Sequence, residues 1–217
     1  ESQSLIECPA SLVYNWENEL KRFAPDLTVQ TVAGTAPERE EILKIAVQTG
    51  DAAPNAASGE AVSEPVDAIQ HPQILITSYD LLKRDIAFYE PFQFRFQVID
   101  EAQYIKNPLT QSAKSVKMIQ SQTRFALTGT PIENRLSELW SIFDYLMPGF
   151  LFSYAQFRRQ FETPIAKDAD PYALKNLRRL SGPFVLRRLK KDVLKDLPDK
   201  LETVVYSMAG EEQKQLY

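Results

Sequence analysis

Residues Val98-Ile-Asp-Glu-Ala-Gln103 end an apolar run on two adjacent carboxylates, Asp100 and Glu101. Neighbouring residues of a strand point to opposite faces, so a bend at the strand end has to re-aim one acid before both can serve one crevice. In nucleotide hydrolysis the first acid of such a pair can hold Mg²⁺, usually through water, and the second can orient or deprotonate the attacking water. The same dipeptide also occurs as a solvated turn; its place at the end of an apolar strand is what points to function. A second cluster, Ala126-Leu-Thr-Gly-Thr-Pro-Ile-Glu-Asn-Arg135, follows. Gly129 and Pro131 turn the chain there, and Thr128 and Thr130 offer hydroxyls that can hydrogen-bond the carboxylates and report their state to a neighbouring domain. The alternative is an ordinary strand-to-helix turn. Other chemistries are poorly provided for. There is one cysteine, Cys8, and one histidine, His71, so a Cys/His metal site within one chain is excluded, and a triad would have to use His71 beside Pro72.

The elements that must position these residues alternate. Leu5-Ile-Glu-Cys8 reads as a strand end stopped by Pro9, with Ser11 as N-cap of a helix carrying Leu12, Val13, Trp16, Leu20 and Phe23 at helical spacing. Trp16, on that apolar stripe, is assigned to the core. Strands are expected at Leu27–Val32, Ile74–Tyr79, Phe96–Asp100 and Arg124–Thr128, and helices at 37–48, 80–86, 109–120 and 134–146. Strand–helix alternation predicts an α/β fold with a parallel sheet covered on both faces. In such sheets ligands bind at the carboxyl ends of the strands, where Pro9–Ser11, Thr77-Ser78, Asp100-Glu101 and Thr128–Thr130 fall. Residues 49–72, rich in Ala, Ser, Pro, Gly and acids and lacking Lys and Arg, read as a mobile surface loop. From about residue 150 the pattern is helical and basic, and Leu201–Tyr206 alternates as a strand.

Of the 217 residues, 44% are hydrophobic and 25% charged, which permits a buried core. No apolar run approaches the roughly 18 residues of a membrane span, and the opening ESQSLIECPA lacks a basic region followed by an apolar stretch. No membrane partner and an intracellular location are therefore expected: cytoplasmic or nucleoid-associated in a bacterium, nuclear in a eukaryote. Residues 1–150 carry 12 Lys+Arg against 20 Asp+Glu, whereas residues 151–217 carry 13 against 9. The basic C-terminal third allows a local phosphate-binding face; equally, it allows only solvated helix faces.

Taken in order, these segments resemble the Swi/Snf helicase-like ATPases, the superfamily-two DNA translocases. PASLVYNWENEL at 9–20 resembles their motif Ia, ILITSYDLLKRD at 74–85 motif Ib, and DEAQYIKN at 100–107 motif II, a DEAH-type box. LTGTPIENRLSELW at 127–140 resembles motif III, and FVLRRLKKDVLKDLP at 184–198 the segment between the two motor lobes. The resemblance implies a RecA-like lobe one over 1–150, a helical protrusion and interlobe linker over 151–198, and the start of lobe two over 199–217. It implies Asp100 as the Mg²⁺ residue, Glu101 as the residue acting on water, and Thr128, Gly129 and Thr130 as couplers of nucleotide state to DNA contacts. Ser11, Asn15 and Trp16, and Thr77 and Ser78, lie where the family grips one DNA strand, with the core as the competing place for Trp16, and Arg187 and Arg188, with Lys190 and Lys191, could add backbone attraction. ATP, Mg²⁺ and double-stranded DNA are the implied ligands of the parent protein, and nucleoprotein or transcription machinery its wider partners.

The departures matter too. The family's P-loop, G-x-x-x-x-G-K-[ST], lies upstream of motif Ia, and no glycine here is followed by Lys-Ser or Lys-Thr. The second lobe is also missing. The chain is expected to be a motor-domain fragment, inactive alone, with neither ATP nor Mg²⁺ bound by itself. Without the P-loop strand the sheet lacks a neighbour beside the motif III strand, so an open apolar edge and self-association through it are expected. The competing reading is a non-catalytic nucleic-acid-binding or protein-interaction module derived from such a lobe. Deleting about residues 50–70 should leave thermal stability nearly unchanged, because long surface loops cost little closure entropy. A thermal melt of the deletion variant checks this; a large drop in midpoint would show the segment to be packed.

Overall fold

The computed structural model describes residues 3–50, 72–129 and 135–188. Of the loop expected at 49–72, residues 49 and 50 instead close a helix that runs to Gly50, and residues 51–71 lie outside the described residues, as do Thr130, Lys190, Lys191 and the strand at 201–206. By packing, the chain divides into two compact units, Glu1–Ala173 and Leu174–Tyr217.

The first unit is built on five strands: β1 (Ser4–Cys8), β2 (Val29–Thr31), β3 (Ile74–Ser78), β4 (Phe94–Ile99) and β5 (Ser121–Ala126). They lie in the order β2-β3-β1-β4-β5, every pair parallel. The expected α/β class and parallel sheet are therefore found. Between the strands run α1 (Val13–Phe23), α2 (Ala36–Gly50), α3 (Tyr79–Asp85) and α4 (Gln111–Met118), followed by α5 (Leu136–Leu146). Further on come α6 (Tyr154–Phe157), a π-turn at Arg158–Glu162, α7 (Thr163–Asp168) and α8 (Pro171–Ser181).

Several boundaries follow from identifiable caps. The Ser78 hydroxyl accepts the Leu81 amide and starts α3; the Thr110 hydroxyl accepts the Ala113 amide and starts α4. Ser153 and Gln156 form a reciprocal capping box at α6. The expected Ser11 cap is corrected. Pro9 is followed by a 3-10 turn over Ala10–Leu12, so α1 begins at Val13 with no side-chain cap, and Ser11 is left exposed.

The two faces of the sheet are covered unequally. Leu5, Leu75 and Ile99 face a core closed by Leu43 and Ala46 of α2, Leu82 of α3, Val116 of α4 and Ile142 and Tyr145 of α5. The opposite face presents Ile6, Cys8, Ile74 and Ile76 to Val13, with Leu12, Trp16 and Leu20 of α1 packed against them. A buried ion pair, Arg39 with Asp85 in a two-pronged arrangement at 2.5 and 2.9 Å, ties α2 to α3. Among the described residues β5 pairs only with β4, and Phe125 on it is 47% exposed with its ring tilted against Phe96. The open edge expected at this strand is present among these residues, but it is not the apolar one expected: its exposed side chains are Gln122, Thr123 and Phe125.

One acid sits inside the core. Glu7 of β1 has no solvent exposure. The Gln97 side-chain amide donates to both of its carboxyl oxygens, at 3.0 and 3.2 Å, and the Gln97 carbonyl oxygen accepts the Ser121 hydroxyl. Arg124 completes the group by donating to Ser121 and to the Tyr145 and Ile119 carbonyls. Burial pushes the Glu7 carboxyl up to about 8, against the opposing pull of Gln97 and Arg124. Glu7 thus keeps its proton in the folded chain well above the 4.5 at which it ordinarily releases it. The unfolded chain binds fewer protons across that window, so stability falls as pH rises through it and levels off above about 8. Chemical denaturation from about pH 5 to about pH 9 should show a loss on the order of a few kcal/mol. Glu7→Gln, which keeps the shape and cannot ionise, should flatten the profile and raise stability at the alkaline end.

Candidate functional site: a carboxylate pair at the sheet edge

The site begins where β4 stops. The Asp100 amide donates to the Glu7 carbonyl at 2.8 Å, the Leu127 amide to the Ile99 carbonyl at 2.8 Å, and the Ala102 amide to the Leu127 carbonyl at 2.9 Å. Between these fixed points Glu101 takes the left-handed conformation, φ 52° and ψ 56°. That conformation is unfavourable for a residue with a Cβ. It is the bend that re-aims the second acid, and a 3-10 turn over Ala102–Ile105 follows it directly.

Asp100 is held from three sides. Its Oδ1 accepts the Glu101 amide at 2.8 Å, and its Oδ2 accepts the Trp16 indole N–H at 2.9 Å. Its carbonyl accepts the Tyr79 hydroxyl at 2.6 Å, and Tyr79 stacks on Tyr104 with ring centroids 5.0 Å apart. The Glu101 carboxylate is engaged by Gln103, whose Nε2 donates to Oε2 at 2.7 Å. The carbonyl oxygen of the same Gln103 side chain accepts the Thr128 hydroxyl at 3.0 Å. Thr128 is thus joined to the acid pair through Gln103, which accepts the hydroxyl proton that was expected to go to the carboxylates themselves. Gly129 lies in the bend beyond it, with open space where a Cβ would stand.

The residues expected to grip nucleic acid divide. Ser11 and Asn15 are exposed beside and on the first turns of α1. Thr77 and Ser78 are 0% and 2% exposed. The Thr77 hydroxyl donates to the Val32 carbonyl, and the Ser78 hydroxyl caps α3. A direct grip by these two hydroxyls is therefore corrected: the strand end uses them to satisfy its own backbone. Arg187 and Arg188 are exposed in the second unit, past the 3-10 turn at Gly182–Phe184.

The donor set fits a water-held Mg²⁺ better than a protein cage. Among the described residues no three His, Cys, Asp or Glu side chains converge on one point. Both Asp100 oxygens already accept one N–H each, which leaves a further lone pair on each for metal-bound water. The acid pair lies apart from a groove of about 440 Å³ between Lys106–Leu109 and Arg135–Glu138, which neither Asp100 nor Glu101 lines. The roles of Glu7, Gln103 and Trp16 at the site escaped the sequence reading. For Trp16 the available signal is that an indole N–H withdrawn from water needs an acceptor.

The family model for the SNF2-related domain matches residues 1–217. TATA-binding protein-associated factor MOT1 of Saccharomyces cerevisiae is 40% identical over 99% of this chain, and an ATP-dependent helicase of Mycoplasma genitalium 38% identical over 99%. The chain spans 11% and 18% of the lengths of those two relatives. The Sulfolobus solfataricus SWI2/SNF2 ATPase core in complex with dsDNA superposes with a TM-score of 0.70 at 38% identity, covering 99% of this chain and 40% of that one. The parallel sheet flanked by helices corresponds to the RecA-like lobe of that core, and the chain belongs to the SNF2-related family of Swi/Snf ATPases.

Proposed function

We propose that this chain supplies the metal side and the water side of ATP hydrolysis in a DNA-stimulated translocase on double-stranded DNA, and that it does not turn over ATP alone. The observation that carries this reading is the chain of contacts Glu101–Gln103–Thr128, which links the acid pair to the next strand end. In this reading Asp100 orients water on Mg²⁺, which when bound neutralises charge on the phosphates. Glu101 orients and accepts a proton from the attacking water once Gln103 releases it. Thr128, with Gly129 and Thr130, passes the state of that carboxylate onward. Ser11 and Asn15 face one DNA strand, and Arg187 and Arg188 add attraction to phosphates without reading sequence. Residues 1–150 form lobe one, 151–198 the protrusion and interlobe linker, and 199–217 the start of lobe two.

The P-loop amides and lysine and an arginine finger come, in this reading, from other parts of the parent protein. An arginine finger alone is worth roughly 10³–10⁵ in rate in related phosphoryl transfers. The partners are double-stranded DNA and, as for MOT1 by its name, transcription machinery; the location is intracellular. The exposed β5 edge, when not covered, favours self-association of the isolated chain.

The test is ATPase of the isolated chain and of the parent, each with and without DNA. The chain should be inactive. In the parent, Glu101→Gln should retain ATP binding and lower turnover by about 10²–10⁴; unchanged turnover would remove Glu101 from the role. DNA-stimulated turnover by the isolated chain would overturn its dependence on the rest of the parent.

DNA binding by the isolated chain should be weak, independent of sequence and steeply weakened by salt. Fluorescence anisotropy with duplexes of two unrelated sequences, at low and physiological salt, checks this. A flat salt response would contradict it.

A further inference from the structure

Trp16 stands on the apolar stripe of α1, where packing alone would account for it. Packing does not account for where its nitrogen points. The indole N–H, 84 positions earlier in the chain, donates to Asp100 Oδ2 at 2.9 Å. The other carboxylate oxygen is taken by the Glu101 amide. The plane of the Asp100 carboxylate is therefore set by two N–H groups from two separate elements, and rotating it would break both bonds. A hydrogen bond from a neutral donor to a charged acceptor is stronger than one between neutral groups. This one also leaves the carboxylate its full negative charge.

The helix that carries Trp16 is itself anchored. Glu17, the next residue, accepts the Thr31 hydroxyl of β2 at 3.1 Å. On the other side of Trp16 in the chain, Asn15 is exposed, as is Ser11 at the start of the segment. The helix thus runs from an exposed polar surface, through one indole, to the carboxylate of the acid pair.

We propose that Trp16 is a positioning residue for Asp100, and that through it the placement of α1 sets the orientation of that carboxylate. A displacement of α1 by a phosphate-bearing strand at Ser11 and Asn15 is then felt at Asp100 through the Trp16 hydrogen bond. The inference rests on the reading of Asp100 as the metal-side residue.

The test uses the parent protein with two replacements at position 16. Trp16→Phe removes the N–H and part of the ring. Benzothienylalanine at the same position keeps the bicyclic shape and puts sulfur where the N–H stood, so a packing role would survive it. Both should raise the Mg²⁺ concentration for half-maximal turnover by about tenfold, the usual size of one charge-assisted hydrogen bond. Both should also lower the ratio of DNA-stimulated to basal turnover. A readout without turnover comes from ¹⁹F NMR of protein labelled with fluorotryptophan, free of Mg²⁺ and nucleotide. Asp100→Asn should shift the Trp16 resonance, assigned by its loss in Trp16→Phe. The Trp140 resonance, whose indole donates to the Phe152 carbonyl at 3.1 Å, should stay in place. A Trp16 resonance unmoved by Asp100→Asn, or parental Mg²⁺ dependence with benzothienylalanine, would overturn the inference while leaving Asp100 in its role. Full turnover in Asp100→Asn would instead remove the metal-side reading itself, and the inference with it.

Discussion

The hydrogen bond from the Asp100 amide to the Glu7 carbonyl closes the sheet. It is the last rung between the two middle strands, and everything at the site is arranged around the fact that pairing stops there. Because all five strands are parallel, Cys8, Ser78, Ile99 and Ala126 end on one edge, so residues distant in sequence arrive side by side. Past the final rung Glu101 has to leave the plane of the strand. Its left-handed backbone, which costs on the order of 1–2 kcal/mol for a residue with a side chain, persists because Asp100 on one side and Ala102 on the other are both pinned to neighbouring backbone.

Among the described residues no Lys or Arg is paired with either acid of the pair. The donors that hold Asp100 and Glu101 are a backbone amide, an indole and a carboxamide, all neutral. They fix direction without cancelling charge, so the negative potential remains available to an incoming cation. Glu7, whose carbonyl accepts the closing rung, follows the opposite logic: its buried carboxyl holds its proton and adds no further negative charge beneath the site.

Much of the architecture is legible from periodicity. The apolar strand before Asp100, the alternation of strands and helices and the helix that ends at Leu146 all follow from side-chain spacing, because burial selects one face of each element. The turn at Gly129 and the acid pair are legible as chemistry at a strand end. What periodicity cannot show is which long-range partner a polar side chain finds. Thr77 and Ser78 look like free hydroxyls at a strand terminus, yet the backbone of β2 and the first turn of α3 claim them. Glu7 reads as one polar residue in a strand, and only register, which sets Leu5 opposite Gln97 and Glu7 opposite Ile99, brings Gln97 onto its face of the sheet. Gln103 reads as a neighbour of the motif rather than as its link to Thr128.

The strand order also bears on how the chain reaches this structure. β1 precedes both of its partners in sequence and lies between them in space, pairing Ser4 with Ile74 on one side and Phe96 on the other. No neighbour in sequence can complete its ladders, so the closure entropy of long loops comes before any hydrogen bond at the centre of the sheet. Topologies dominated by such non-local parallel pairing fold slowly for their size. During synthesis β1 leaves the ribosome before either of its partners, and both of its ladders stay open until the residues of β3 and then β4 have been added.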